Sequence, residues 1–565
     1  MIRRTAALIC LLAAAFPAAA LAQPKVTLLP GVTYEKGVQF TPHGAVAIHV
    51  ITAPKPGGLY AFGPAIARNT VVGGKERVTE IQRDVSTQAT VAGINGDLYN
   101  WNDSHPTGIY MEGGVLKHPP SAGRSSIGVD STGLLHVDRV KFFGTWKGTG
   151  QRRPLNGLNQ APANGQVVLF TPAWGTATPR VANAAEVVLQ PFPATAPNVD
   201  LTGPVTAIAT GGGTAIPPDG AVLMAVGTMA PKLQAEAPVG TAIASRMILQ
   251  PTWTGVTDAL GGGPVLVRNG KAVFRSLEDF TSDQISPRNP RAGVGQTADG
   301  RILLVAVDGR QPGYSVGMST FELAQTLVRL GAVTASAVDS GGSVTVAFDG
   351  QLLNRPSDPG GERPVKEALL VKYFGVYAPP PTQGLVTATS ASRGEELTYK
   401  IVRPSTVTAT LASPDGTSNI LESEAAKQPG VYKFGWSTFD VEGTWRFDVL
   451  AVDDQGGQST FQRTFQYDLT LSNLRVPRTA KQKQGLAVKF TLSRAARVAL
   501  RVETKLGTIV KTLPAAQLPA GEGTLRWDGK ITGKTRAFPG AYVARVLATS
   551  EVGKMDLSAP FTLRK

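Results

Sequence analysis

An α+β domain whose mixed sheet contains a βαβ unit, followed by two all-β sandwiches, is the fold class this sequence predicts. Three observations carry it. The 565 residues include 63 glycines and 41 prolines, with 42% hydrophobic and 17% charged residues, a balance that suits turn-rich, largely β structure. Residues 301–338 pass from a strand pattern to a helix pattern and back. Beyond residue 384 the chain repeats itself.

The elements follow in order. "MIRRTAALICLLAAAFPAAALAQ" places Arg3 and Arg4 before an apolar run closing on Ala20-Leu21-Ala22, the pattern of a signal peptide over residues 1–22, cleaved before Gln23. It predicts an exported protein, periplasmic or extracellular. Cys10, the single cysteine, lies inside that run behind Ile9, without the flanks of a lipid-anchored cysteine, so the mature chain would have no thiol. No later stretch holds the roughly 18 uninterrupted apolar residues of a membrane-spanning helix, and no transmembrane anchor is expected.

Residues 23–376 read as one domain. Within it, residues 144–255 are rich in Ala, Pro and Gly, with alternating runs such as "GQVVLF" and "AEVVLQ", and suggest a β insertion. "RILLVAV", Arg301 to Val307, is a continuous apolar strand ending at Asp308-Gly309-Arg310. Ser319-Thr320-Phe321-Glu322 then forms a capping box, opening a helix whose Phe321, Ala324, Leu327 and Val328 share one face and which Gly331 closes. "VTASAV", Val333 to Val338, is the next strand. A crossover of this length predicts a parallel pair, so Asp308 and Asp339 would leave the same sheet edge, where open α/β sheets place ligands.

The proline run Ala378-Pro379-Pro380-Pro381 opens a stiff linker over residues 377–384. Two modules follow, residues 385–470 and 471–565. "ELTYKIVRPSTVTATL" from Glu396 and "AVKFTLSRAARVALRV" from Ala487 share alternation at one constant offset, which also aligns Trp436 with Trp527; "GTWRFDVLAV" then matches "GAYVARVLAT" after a short insertion. Period-2 alternation in units of this size predicts small sandwiches. Residues 497–549 resemble the immunoglobulin-like module of flagellar hook-capping proteins, which makes the pair immunoglobulin-like and implies a spacer or binding role.

Net charge is +15, of which residues 473–565 carry about +13. That excess suits a solvated face or contact with an anionic cell-envelope polymer. Specific nucleic-acid binding is not expected, because no basic stripe interleaved with aromatics is present.

The stretch "AVDSGGSV" places Ser340 in a D-S-G-G context, as in trypsin-like proteases. A serine nucleophile needs an oriented histidine base. The five histidines, His43, His49, His105, His118 and His136, lie in no such setting. His105, in "NWNDSHPTG", reads as a solvated loop residue ahead of a substrate contact. None has metal-ligand spacing; no cofactor is predicted, and a divalent cation at the acidic turns stays open and unassigned. What remains is a set of Asp, Asn, Arg and Gly at turns: Asn95-Gly96-Asp97, Arg291, Asp308-Gly309-Arg310, Asp339 to Ser343, and Arg355, Asp358, Glu362 and Arg363 in "NRPSDPGGERPV". Forked arginines match a phosphate, glycine turns bring backbone N–H groups close to it, and carboxylates stabilise a sugar cation.

Five segments in this order resemble the catalytic domain of the phosphodiester glycosidase family. "VAGINGDLY" is similar to its A-I-N-G-G-F-F, "LGGGPVLVRNGK" to its G-G-G-P strand, and the block from "NPRAGVG" to "RLGA" to its centre; "SAVDSGGSVTV" is similar to its N-L-D-G-G-G-S-S-T, and "LLNRPSDPGGERPVKEALLV" to its closing block. Asp97, Leu98, Ala337, Ser340 and Val344 depart from those motifs. The resemblance implies hydrolysis of a sugar-1-phosphodiester at the anomeric carbon, on envelope or exopolysaccharide glycans. Asp339 and Asp308 would be the catalytic carboxylates with Glu362 in reserve, and Arg291, Arg310, Arg355 and Arg363 the pool of phosphate clamps. Asn95 and Asp97 would hold sugar hydroxyls or the turn, and Gly341, Gly342 and Ser343 would offer donors. The alternative is a non-catalytic envelope protein that binds anionic glycans through the same cleft.

Overall fold

The computed structural model describes residues 21–22, 25–505, 507–533 and 535–565. The chain divides into two compact units, Met1–Tyr373 and Phe374–Lys565. Most of the expected signal peptide lies outside the described residues; Leu21–Ala22 pair as a short strand with Gly37 and Val38.

The strands that position the first unit's site are β1 (Gly44–Ala53), β2 (Thr90–Asn95), β3 (Arg291–Thr297) and β4 (Ile302–Val307). Helix α1 (Thr320–Arg329), β5 (Ala332–Ala337), β6 (Val346–Phe348) and β7 (Glu367–Tyr373) follow. β1, β4, β3 and β5 lie side by side in that order in a nine-stranded sheet. β6, β2 and β7 are neighbours in a five-stranded sheet. β2, β3 and β4 are buried along their whole length, which is why they read as unbroken apolar or small-residue runs.

The capping box forms as the sequence requires: Ser319 Oγ accepts from the Glu322 amide and Glu322 Oε2 accepts from the Ser319 amide. α1 buries Leu323, Ala324 and Leu327 in one core cluster with Leu266, Val305 and Ala335. Gly331 ends it at φ +93°, a left-handed conformation that costs glycine little.

The mixed sheet needs correction. β4 and β5 run in the same direction, but β3 lies between them, antiparallel to both, and every neighbouring pair in this sheet is antiparallel. The crossover through α1 therefore spans two strand spacings, about 9.6 Å. The consequence favours a site: Arg291, at the start of β3, arrives at the edge where Asp308 and Asp339 leave β4 and β5.

Residues 141–250 form an eight-stranded sheet from consecutive strands, and its first, Lys141–Lys147, pairs with its last, Ala242–Gln250, so the excursion begins and ends at one place. Trp146, Val187, Leu223 and Met247 are fully buried in its core.

The second unit, described by itself, repeats one set of pairings. Glu395–Ile401 pairs with Gly430–Trp436 as Leu486–Leu492 pairs with Gly521–Trp527, in equivalent register. A larger sheet faces each pair, and in both a short leading strand runs parallel to the last: Leu385–Val386 on the first, Thr479–Lys481 on the second. The insertion behind Trp527 is the hairpin Lys530–Thr532 and Thr535–Arg536. The proline run lies in this unit, where Tyr377 and Ala378 are buried.

Candidate functional site

A pocket of about 230 Å³ opens at the edge where β3 begins and β5 ends, lined among others by Asp97, Arg291, Arg310, Thr320, Asp339 and Ser340. Asp339 follows β5. Its amide donates to the Gly96 carbonyl (3.1 Å), and its own carbonyl accepts from Asn95 Nδ2 (3.0 Å). Its carboxyl is pushed up to about 6, first by burial and then by the charge of Asp97; the Ser343 hydroxyl, the Ser340 amide (2.7 Å to Oδ1) and the Arg363 guanidinium act the other way. Asp339 is thus ionised at neutral pH and close to taking up a proton.

Arg291 is 5% exposed and spends its guanidinium on backbone carbonyls: Met318 (3.1 Å), Gln284 (2.8 Å), Ile285 (3.3 Å) and Pro287 (2.8 Å). Burial, with the charge of Arg310, lowers it to about 10. Arg310 donates from Nε to Asn289 Oδ1 (3.0 Å) and adopts φ +58°, a strained backbone for an arginine and of the kind held in place at functional sites. Among the described residues no carboxylate pairs with either arginine. One wall of the pocket therefore carries two uncompensated positive charges.

The turn after Asp339 sits between two arginines. Gly341 has φ +71°, and a Cβ there would stand 3.1 Å from Arg310 Nη2; a Cβ on Gly342 would lie 2.1 Å from both Arg363 Nη2 and Asp358 Oδ1. Only glycines let the backbone pass this close. Arg363 grips Asp358 with both prongs (2.7 and 3.0 Å), so its charge is largely met. Ser343 is fully buried beneath the turn.

Asp97 is buried and bound at both oxygens by Arg124 (2.9 and 2.8 Å), in a cradle where a Cβ on Gly261 would come within 2.1 Å of its Oδ2. Behind it, burial and then the Asp97 charge hold Glu367 well above the usual carboxylate range. Asp283 lies on the pocket's open side, its carboxyl lowered by the Thr281 hydroxyl.

Several expected residues take other places. Asp308 is 1% exposed and accepts from His49 Nε2 (2.9 Å), Tyr314 Oη (2.8 Å), Asn354 Nδ2 (2.9 Å) and the Arg355 amide (3.2 Å). It is a hub joining β1, β4 and the loop after β6, engaged by four donors and not among the residues lining the pocket, so its expected catalytic place is corrected. Glu362 caps the helix Val78–Val85, taking the Thr79 amide (3.0 Å) and hydroxyl (2.8 Å), and is likewise not in the pocket. Arg355 stacks over the Tyr314 ring at 5.0 Å and is not a pocket-lining residue. Asn95 is fully buried and serves the turn, the second of the two roles expected of it, its Oδ1 accepting from the Thr345 amide (3.2 Å). His105 is half-buried and bonds Asp103.

Arg124 and Glu367 were not singled out from the sequence. A glutamate opening the buried run "EALLV" is a signal that could have found Glu367; Arg124, in "SAGRSS", carries none. Among the described residues no three His, Cys, Asp or Glu side chains converge as a metal site requires.

Residues 197–372 match the family described as phosphodiester glycosidase, and residues 475–551 match the FlgD Ig-like domain. Both resemblances seen in the sequence are shown by these matches. Arg291, Arg310 and Asp339 fall inside the first; Asn95 and Asp97 fall outside it. Among curated proteins, the SPbeta prophage-derived uncharacterized protein YomE of Bacillus subtilis (strain 168) is 30% identical over 119 residues, 21% of this chain and 18% of that protein. Among solved structures, a hypothetical protein from Synechocystis aligns with TM-score 0.53 and 26% identity over 62% of this chain and 63% of its own. The zebrafish N-acetylglucosamine-1-phosphodiester alpha-N-acetylglucosaminidase catalytic domain, auto-inhibited by its pro-peptide, aligns with TM-score 0.34 and 13% identity over 62% of this chain and 87% of that one. The chain thus spans less than two thirds of the YomE protein and of the Synechocystis protein.

Proposed function

We propose that this chain, which carries a phosphodiester glycosidase domain and an FlgD Ig-like domain, hydrolyses a sugar-1-phosphodiester at the anomeric carbon. The observation that carries the proposal is one pocket lined by Asp339 and by two arginines with which no carboxylate pairs among the described residues. A phosphodiester brings the negative charge this wall lacks. Arg310, with its Nη groups uncommitted among the described hydrogen bonds, is the direct contact; Arg291, buried and spent on carbonyls, acts through its field. The amino-terminal end of α1, at Thr320, adds its partial positive charge on the same side.

In the reaction, water adds its oxygen to C1, the bond from C1 to the phosphate oxygen breaks, and the electron pair leaves with the phosphomonoester. Asp339 takes the proton from the attacking water and returns it to solvent. A phosphomonoester is a weakly basic leaving group, so one carboxylate and a cationic wall suffice where an ordinary glycosidase uses two carboxylates. Export belongs to the same proposal, supported by the pattern of residues 1–22, as does action on envelope or exopolysaccharide glycans. The basic last module is proposed to meet an anionic envelope polymer, supported by its charge of about +13.

The test is a panel of chromogenic sugar-1-phosphodiesters with the native chain, Asp339→Asn and Arg310→Ala. The native chain is expected to release sugar, and each variant to lose about 100-fold or more of kcat/KM. Full activity in folded Asp339→Asn would remove the base; binding of anionic glycan without sugar release across the panel would favour the non-catalytic alternative.

A further inference from the structure

Across the Gly341–Gly342 turn from the pocket lies an aromatic shelf that the hydrolytic reading does not use. Trp101 is 69% exposed and packs on buried Tyr99, with ring centroids 5.3 Å apart. Lys75 Nζ stands 4.8 Å from the Tyr99 ring centre and 5.0 Å from that of Trp101, and the Arg363 guanidinium lies 5.7 Å from Trp101. Among the described residues no carboxylate pairs with Lys75. An indole this exposed, with two cations beside it, buries little of its apolar area and is not explained by core packing.

The shelf is joined to the reacting centre through Arg363. Its Nη2 lies where a Gly342 side chain would be, and its charge reaches Asp339, three residues back along the same turn. Arg310 stands over Gly341 on the pocket side of that turn. A ligand filling the pocket and crossing the turn therefore meets Trp101 next. A flat ring takes the C–H face of a pyranose, and the Lys75 ammonium, whose charge no described carboxylate meets, selects a negative one.

We propose that Trp101 and Lys75, with Arg363 beside them, form a second glycan subsite for an anionic sugar residue next to the scissile phosphodiester, so that the substrate class is a charged oligo- or polysaccharide. This rests on the proposed hydrolysis for its place in the reaction, but the subsite itself is measurable by binding alone. The full chain is titrated, following tryptophan fluorescence and by calorimetry, with hexagalacturonate, a phosphodiester-linked mannan fragment and neutral maltohexaose. The native chain is expected to bind at least one of the two anionic probes at least tenfold more tightly than maltohexaose, the preferred probe telling uronate from phosphate. Trp101→Ala and Lys75→Gln are each expected to weaken that binding about tenfold or more. In parallel, both variants should keep kcat/KM on a small chromogenic sugar-1-phosphodiester within twofold. Unchanged binding in Trp101→Ala, equal affinity for all three probes, or no binding by the native chain overturns the subsite. A native chain that binds but hydrolyses nothing leaves the subsite standing and counts against the hydrolysis instead.

Discussion

Asp339 sits where its own charge is disfavoured, and two predictions follow from that. With its folded value at about 6 against roughly 3.9 in an unfolded chain, the folded state holds the proton more tightly. The group's contribution to stability is therefore largest below about pH 4 and declines as pH rises to about 6. Asp339→Asn, which resembles the protonated form, should be more stable than the native chain at pH 8 and equal to it at pH 4, by urea unfolding. The full shift is worth about 3 kcal/mol, and water in the pocket reduces the expected gain to about 1–2 kcal/mol. Equal stability at both pH values would mean that the pocket does not strain this carboxylate. The second prediction is kinetic: since the ionised form accepts the proton, kcat/KM should fall on the acid side with a midpoint near pH 6. At this scale the sequence was legible in part. Asp339 could be read from the strand it ends and the glycines after it, but Asp308, which ends a similar strand, could not be told apart. What separates them is His49 and Asn354, distant in sequence, which together with Tyr314 commit the Asp308 carboxylate to structural bonds, whereas Asp339 lines the pocket.

Among elements, the unit from β4 through α1 to β5 was readable because each signal is local: an apolar run, a capping box, a terminal glycine. That β3 would lie between the two strands was not, since pairing partners leave no mark on a strand that is buried on both faces and made of small residues. The helix Val78–Val85 shows the same limit from the other side. Its amino-terminal amide at Thr79 is capped by Glu362, 283 residues away, so a glutamate in a polar, glycine-rich loop looked like chemistry and is architecture. Glu362→Gln should cost about 1 kcal/mol in unfolding free energy and leave kcat/KM within twofold. A loss of activity much beyond the loss of folded protein would return Glu362 to the reaction.

For the whole molecule, two compact units divide the labour proposed here: the first holds the pocket and the shelf, the second a repeated pair of β modules. The repeat was visible in the sequence because constant spacing survives divergence, and the structure gives it as equivalent pairings at Trp436 and Trp527. The sheet of residues 141–250 was visible only as a β-rich stretch, its closure depending on a pairing about 100 residues apart. The site was the least legible feature, because it joins β2, β3, β5 and the Asp97–Arg124 pair, which no local pattern connects. The assembled pocket is proposed to break the bond at the anomeric carbon and not at phosphorus. Hydrolysis of a sugar-1-phosphodiester in water enriched in ¹⁸O, with mass spectrometry of both products, tests it most directly. The label should appear in the released sugar, with none in the phosphomonoester; label in the phosphomonoester would contradict the claim.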